Sequence, residues 1–499
     1  MNTTIYNQLL VQIVENQFGK FVGQITKYLL VKPSTIFDLW RQCHQPYSKM
    51  YEALFVLLHH SILKYSNEEP VIISIDQNRI LFSLRHSHFI ALMQQKFGEL
   101  AKEISITLIT YGMLNFEDIF AVLQSKNIDV KESDLKAVFD EMVKEKYITR
   151  VNKNVVDLVQ LERTSTPAPS FSTVKQNENV RRKGIRKRGK IDVVTENPIP
   201  KKVKVGIDLK AQTNLNSTTK VEDSDNSQPV WTVNIEVYNK ETILYKLLDL
   251  VNKKFDNKAV PIIEKMWDLS AYGKTPVDFA ILCQNLREIA PETIRKYLEM
   301  MSRDEPFIIA KNQSAFVSDT NSFKLQVDAA TAFLKGVMIE SCIQSKFGVI
   351  GASIHRVLKI KHILTDSQIA DLLIGEGEEV KRGLYQMHQA GYVNGQEVPK
   401  SNIRGGKNSY YMWSINFSQI NAILLSETAK SLMNTMDRLK LEISSKSALI
   451  AKYNEGVEIG QILLNEEENE EYMNLDRRQK MLLDGLYYLS GLFFCLKDY

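Results

Sequence analysis

LKAVFDEMVKEKYI, residues 135–148, carries apolar side chains at offsets 0, 3, 4 and 7 (Leu135, Val138, Phe139, Met142) and an aromatic–aliphatic pair at offsets 12 and 13 (Tyr147, Ile148). The first spacing places one stripe on a helix of 3.6 residues per turn. After the polar turn at 144–146, the pair opens a strand. A single amphipathic helix followed by a strand says little; recurrence at a fixed register is what decides an architecture.

The register recurs three times. MYEALFVLLHHSIL (50–63) supplies Met50, Ala53, Leu54 and Leu57, then Ile62 and Leu63. IRKYLEMMSRDEPFI (294–308) supplies Ile294, Tyr297, Leu298 and Met301, then Phe307 and Ile308, with one residue inserted around Pro306. VKRGLYQMHQAGYV (380–393) supplies Val380, Gly383, Leu384 and Met387, then Tyr392 and Val393. A short apolar helix is expected upstream of each copy, at 34–41, 115–124, 276–287 and 365–373, and a longer one before that, at 18–30, 80–111, 242–255 and 327–347. Second strands are expected downstream, at 71–75, 155–159, 314–317 and 410–415. Helix, helix, helix, strand, turn, strand is the winged-helix order, a helix-turn-helix carrying a β-hairpin. The copies begin 85, 159 and 86 residues apart, so the middle gap holds one repeat and a long insert. The chain therefore reads as mainly α with small β-wings. Four winged helices are expected at 1–77, 78–161, 230–324 and 325–416, a disordered basic linker at 162–229, and an antiparallel coiled-coil hairpin at 417–499.

At 499 residues, the chain is too long for a single core, and its 44% hydrophobic and 24% charged composition is that of a soluble globular protein. No apolar run is long enough to span a bilayer. Residues 1–13 are amphipathic and lack a basic leader region or small-residue cleavage site, which argues against secretion. The four cysteines (Cys43, Cys283, Cys342, Cys495) lie far apart with no CxxC pair, as free thiols in a reducing compartment would.

The net charge of +4 conceals an asymmetry: residues 181–204 carry a surplus of eight positive charges, which leaves the rest at −4. From 164 to 229 the composition shifts to Ser, Thr, Asn, Lys and Pro, too little apolar surface to offset backbone ordering. Two basic clusters lie within it. RRKGIRKRGK supplies Arg181, Arg182, Lys183, Arg186, Lys187, Arg188 and Lys190, and PKKVKV supplies Lys201, Lys202 and Lys204. Their spacing suits a bipartite nuclear-import signal. The alternative is a tether that grips phosphate without reading sequence.

At the C-terminus the apolar period shortens to alternating steps of four and three. Leu425, Ala429, Leu432, Met436, Leu439, Ile443 and Ile450 form one seam, and Leu475, Gln479, Leu482, Leu486, Leu489, Phe493 and Leu496 form another. Gly456, Gly460 and an acidic run separate the two, and the short gap and matched seams favour a hairpin over dimerisation. Its first helix is expected as one rod from about 418 to 453.

No catalytic constellation is found. GQEVPKS (395–401) resembles a P-loop only superficially, lacking the glycine before its lysine, and the His86/His88 and Cys43/His44 pairs have no partners at metal-ligand spacing. No cofactor is expected. The helices that would enter DNA expose mixed charge: Tyr51 and Glu52; Lys131, Glu132 and Lys136; Glu292, Arg295 and Lys296; Glu378, Glu379, Lys381 and Arg382. Such faces favour protein partners. The most basic DNA-binding candidates are Arg356, Lys359 and Lys361, with Lys400, Arg404 and Lys407 on the fourth wing.

VENQFGKFVGQITKYLL (14–30), followed by YEALFVLLHHSILKY (51–65), resembles the winged-helix scaffold subunit of eukaryotic RNA polymerase III. The order of parts along the whole chain is similar to that family's. The resemblance implies a non-catalytic nuclear subunit of the polymerase. It further implies docking on the clamp of the largest subunit, together with a smaller winged-helix subunit and an acidic-tailed subunit. A role in loading and opening promoter DNA at small-RNA genes follows, in the manner of general factor IIE. Two other classes compete: a free winged-helix DNA-binding regulator, disfavoured by the mixed-charge faces, and a lid or signalosome scaffold, disfavoured by four winged helices without a helical-repeat array.

Overall fold

Each repeat begins with two helices that meet at a Phe-Gly or Phe-Asp step. The computed structural model describes residues 3–66, 71–126, 131–151, 229–311, 322–399, 409–460 and 463–498. In the first repeat α1 (Thr3–Phe18) ends at Gly19 and α2 (Lys20–Val31) follows; α3 (Ile36–Cys43), α4 (Tyr47–His59), β1 (Leu63–Tyr65) and β2 (Ile73–Ile75) complete it. After α5 (Gln77–Phe82), the second repeat runs α6 (His86–Phe97), α7 (Glu99–Tyr111), β3 (Leu114–Asn115), α8 (Phe116–Ser125), α9 (Glu132–Lys144), β4 (Ile148–Arg150) and β5 (Val230–Val233). The third has α10 (Ile235–Lys254), α11 (Val260–Leu269), β6 (Val277–Asp278), α12 (Phe279–Asn285), α13 (Pro291–Arg303), β7 (Ile309–Lys311) and β8 (Ser322–Leu325). The fourth has α14 (Val327–Lys361), β9 (Ile363–Thr365), α15 (Asp366–Leu373), α16 (Gly377–Gln389), β10 (Asn394–Pro399) and β11 (Ser409–Ser414).

The sheets are antiparallel, ordered β3-β5-β4, β6-β8-β7 and β10-β11-β9, with β1-β2 joined by a bridge from Ser34 to Ile73. A short strand, reduced in the first domain to the single bridge at Ser34, thus stands between the first and second helices of each bundle, which helix periodicity alone did not reveal. The repeated apolar positions point inward: Leu54 is 6% exposed, Phe139 3%, and Leu298 and Leu384 0%. Side-chain caps fix several helix starts. The Thr35 hydroxyl accepts from the Asp38 amide, and Thr365 with Gln368 forms a reciprocal capping box.

Four expectations for the winged helices change. The helix expected across 80–111 breaks at Gly98, whose φ of 89° is open to glycine and strained for other residues; Gly19 (φ 93°) and Gly348 (φ 72°) do the same in the first and fourth repeats. In the third and fourth repeats the helix that joins the helix-turn-helix is therefore α11 and the part of α14 after Gly348, downstream of the expected 242–255 and 327–347. The strand β5 pairs with β4 from Ile148↔Val233 to Arg150↔Trp231, so residues 230–233 close the second wing instead of opening the third domain. Val237 and Tyr238 also lie in the second domain's core. In the third repeat Phe307 is 47% exposed and Ile308 and Ile309 fill the buried pair, so two residues are inserted rather than one. The return strand there is β8, while 155–159 and 314–317 lie outside the described residues.

The C-terminal helices are α17 (Phe417–Ser445), α18 (Ser447–Ile459) and α19 (Glu466–Asp498). α19 runs back along the other two: Tyr453 stacks on Tyr472 at 3.9 Å between centroids, and Lys452 pairs with Glu468 at 2.6 Å. Leu425, Ala429, Leu432, Leu475, Phe493 and Leu496 of the two seams are buried. The expected single rod is interrupted at Lys446, with φ −120° and ψ 24°, and Ile443 is 44% exposed. Glu442 takes the inward place, 7% exposed, bound by Arg438 at 2.6 Å and facing Arg478 at 3.8 Å. The hairpin's root is core. Phe493 stacks near Tyr6 at 6.4 Å, Arg85 lies 3.3 Å over Phe494 and pairs with Asp498 at 3.1 Å, and Gln12 donates to the Met433 carbonyl at 3.2 Å.

Candidate protein and nucleic-acid interfaces

The third helix of each bundle turns a charged, mixed face to solvent: Glu52 on α4; Glu132 and Lys136 on α9; Glu292, Arg295 and Lys296 on α13; Glu378, Glu379, Lys381 and Arg382 on α16 are all exposed. On α13 Arg295 lies 5.1 Å over the Phe279 ring, and on α16 Lys381 faces Glu378 at 3.6 Å. Part of the positive charge on these faces is therefore spent within the chain.

In the fourth domain Arg356, Lys359 and Lys361 lie on the half of α14 that follows Gly348 and are exposed. The break at Gly348 folds this half back beside the first, and Arg356 donates through Nε to Glu340 at 2.5 Å. Lys359 passes over Gly336, where an added Cβ would stand 3.5 Å from its Nζ. Arg356 is thus a brace across the bend, and Lys361 at the helix end is the cation of this set placed farthest from it. The wing strands β10 and β11 pair over six residues, from Asn394↔Ser414 to Pro399↔Ser409, against three in the first domain. Lys400 follows directly on that ladder; Lys400, Arg404 and Lys407 lie outside the described residues, as do the basic clusters of 181–204. The termini of the basic insert are nonetheless fixed, because the Val151 amide donates to the Val230 carbonyl at 2.9 Å. Val151 and Val230, on either side of that segment, thus stand side by side on the second wing.

Residues 339–415 match the family described as POLR3C, C-terminal winged-helix domain. The chain is 21% identical over 467 residues to DNA-directed RNA polymerase III subunit RPC3 of Mus musculus, covering 88% of this chain and 85% of that protein. The Homo sapiens protein of the same name is 19% identical, with the same shares. The rpc3 subunit of Dictyostelium discoideum is 24% identical over 286 residues, covering 54% of this chain and 42% of its own length. The relatives aligned along most of this chain are RNA polymerase III subunits named RPC3, to which it is similar at low identity. The matched segment takes in the Gly348 bend, the Arg356–Glu340 brace and the whole fourth sheet, so the basic candidates of that domain fall within it.

Two features of this chain were not singled out by sequence reading. One is the junction between the first and second domains, where Arg79 donates to the His60 carbonyl (3.1 Å), the Val233 carbonyl (2.8 Å) and the Thr232 hydroxyl (2.7 Å). Burial pulls the Arg79 guanidinium down to about 10. Burial, then the neighbouring charges of His59 and Arg79, pulls His60 to about 4; burial, then Arg79 and His60, pulls His86 to about 3. These groups border a cavity of about 250 Å³ lined by no carboxylate, and Ser83 there gives its hydroxyl to the Ile80 carbonyl at 2.5 Å. The arrangement locks β5 to the first domain and offers no base–nucleophile pair. The signal available in the sequence was an arginine inside the apolar run NRILF (78–82). The other feature is a row of exposed aromatic rings on α3 and α4: Phe37, Trp40, Tyr47 and Phe55 are 58%, 39%, 36% and 44% exposed. Among the described residues no group of three or more His, Cys, Asp or Glu could hold a metal, and no helix is long and apolar enough to cross a membrane.

Proposed function

We propose that this protein is a non-catalytic subunit of RNA polymerase III that acts in transcription initiation. The observation that carries the reading is the alignment with RPC3 proteins along 88% of the chain and 85% of the Mus musculus protein's own length. In this reading it docks on the clamp of the largest subunit with a smaller winged-helix subunit and an acidic-tailed subunit, and helps to load and open promoter DNA in the nucleus. The mixed-charge helix faces suit protein partners, since acidic side chains beside each lysine or arginine cancel the attraction for phosphate. Contact with DNA falls to the focal positive positions, Lys361 and the fourth-wing residues Lys400, Arg404 and Lys407, with the basic clusters of 181–204 serving nuclear import or a non-specific grip.

Depleting the protein from a transcription extract tests the reading. Promoter-directed synthesis of short RNA polymerase III transcripts is expected to stop and to return on adding the recombinant subcomplex, while elongation on tailed templates continues. Equal loss of both reactions would argue for a general role in the polymerase, and no loss would remove the proposal. Neutralising Lys400, Arg404 and Lys407 is expected to lower the salt dependence of DNA association by up to ~0.9 per lost duplex phosphate contact. An unchanged slope assigns the DNA contact elsewhere.

A further inference from the structure

A charged side chain drawn into a protein is normally met by a charge of opposite sign, because an uncompensated one forgoes its hydration. Arg79, at the junction of the first and second domains, departs from this. Three of its five N–H groups are used, and all three acceptors are neutral: the His60 and Val233 carbonyls and the Thr232 hydroxyl. One N–H on each terminal nitrogen remains. Among the described residues no carboxylate forms an ion pair with the guanidinium. Asp76, three residues before it, is already engaged: it pairs with Lys64 at 2.7 Å and caps α5 by accepting from the Asn78 and Arg79 amides.

Arg79 borders the cavity of about 250 Å³ together with His60 and His86, and the exposed side chains of Gln17 and Thr110 bring that cavity to the surface. The ring nitrogens of His60 and His86 form no hydrogen bond among the described residues; the rings are positioned by aromatic contact, with Phe18 at 4.7 Å and Phe82 at 5.0 Å. What α1, α7 and β5 contribute to the walls is uncharged: Gln17, Phe18, Leu108, Ile109, Thr110 and Val233. Apolar walls of low dielectric strengthen any attraction to the guanidinium. A cation is repelled there. The volume lies below the ~300 Å³ at which sites for drug-sized ligands begin, so the occupant is small. We propose that this cavity is a binding site for a small oxyanion of the size and chemistry of phosphate or sulfate, held by the Arg79 guanidinium and the imidazoles of His60 and His86. Such an ion supplies the missing counter-charge. It also ties the end of α4 to α5 and α6 at the place where Arg79 grips β5, so binding stabilises the junction by mass action. An anion beside the two imidazoles favours their protonated forms, which burial and Arg79 otherwise disfavour, and binding therefore tightens as the pH falls. The other titratable groups facing them are His59 and, beyond it, Asp118.

The test is calorimetric titration of the full-length chain with sodium sulfate, against sodium chloride of equal ionic strength. Sulfate keeps one charge state across the range used, so any pH effect belongs to the protein. Saturable uptake of one ion is expected, with half-saturation at or below about 1 mM, and about threefold or more tighter near pH ~5.5 than near pH ~7.5. Inorganic phosphate should compete for the same site. Gln17→Glu sets a carboxylate at an exposed edge of the cavity. It is expected to weaken sulfate binding about tenfold without lowering the melting temperature in chloride. His86→Gln should lose the gain at low pH. Absence of saturable uptake at the lower pH would overturn the proposal and leave water in the cavity. Half-saturation above about 10 mM would make sulfate an adventitious ion only, and would overturn it equally. Unchanged affinity in Gln17→Glu would place the ion elsewhere on the chain. Should either variant melt far lower than the wild type, nitrogen resonances of histidine-labelled wild-type protein decide: sulfate is expected to shift the His60 and His86 ring signals, and unmoved signals would reject the site.

Discussion

Leu298 is fully buried in a core with Ile262, Met266 and Leu282, where three helices of the third domain meet. Replacing it with Ala is expected to cost about 2–5 kcal/mol, because the site loses methyl contacts and keeps part of the cavity; chemical denaturation would measure it, and a cost below about 1 kcal/mol would deny Leu298 its place in the core. His60 and His86 give a pH signature. Both are held neutral, their folded values near 4 and 3 lying below the ordinary 6.5, so the unfolded chain takes up protons first as acid is added. Their contribution is complete above pH 6.5 and declines as the pH falls towards 3–4. His86→Gln is expected to flatten the acid limb of stability against pH between those limits, and an unaltered limb would place the acid sensitivity elsewhere. At this scale the inward positions of the repeat were legible because their spacing is imposed by the helix itself. Arg79 was not, because its three partners come from segments that only the folded chain brings together.

Among elements, the helix pairs and their Phe-Gly steps were written plainly at 18–19, 97–98 and 347–348, with Phe255–Asp256 as the variant. Their meaning is geometric: a positive φ at glycine ends one helix and starts the next without the steric cost that a Cβ would bring. A search tuned to apolar periodicity reads straight through a single glycine. The second wing escaped for a different reason. Its return strand lies beyond an insert of some 80 residues, and local reading joins β4 to the nearest apolar run instead; closing so long a loop costs little more than closing a short one, since the penalty grows only logarithmically. In the hairpin, the seam predicts an apolar residue where the fold places Glu442. Its carboxylate is inward while both arginines keep much of their surface in water. Glu442→Leu should therefore be neutral or stabilising, because a packed apolar side chain replaces a charge that costs desolvation. A clear fall in melting temperature would mean that the Arg438–Glu442–Arg478 cluster sets the register.

At the level of the whole molecule the terminal hairpin is a root as well as an arm. Phe493, Phe494, Cys495 and Leu496 are buried, and Arg85 and Tyr6 reach them from the second and first domains. Deleting 417–499 is therefore expected to unfold the winged helices around it. Replacing only 443–477 by a short Gly/Ser turn, which rejoins the chain where Glu442 faces Arg478, should leave the melting transition close to that of the intact protein. If both deletions melt alike, the root does not hold the domains. The four-domain order was legible from one register repeated along the chain, whereas the dependence of those domains on the C-terminus was not, since no local pattern marks which exposed-looking apolar residues of α19 pack on distant helices. On the proposed function, this chain works as a stoichiometric part of RNA polymerase III. Affinity purification of the protein tagged at its own locus, with the co-purifying chains quantified by mass spectrometry, tests that claim most directly. The two largest subunits of RNA polymerase III should be recovered in equal amount with it and in salt that strips loosely bound factors; recovery as a free protein, or with a different multisubunit assembly, would contradict the account.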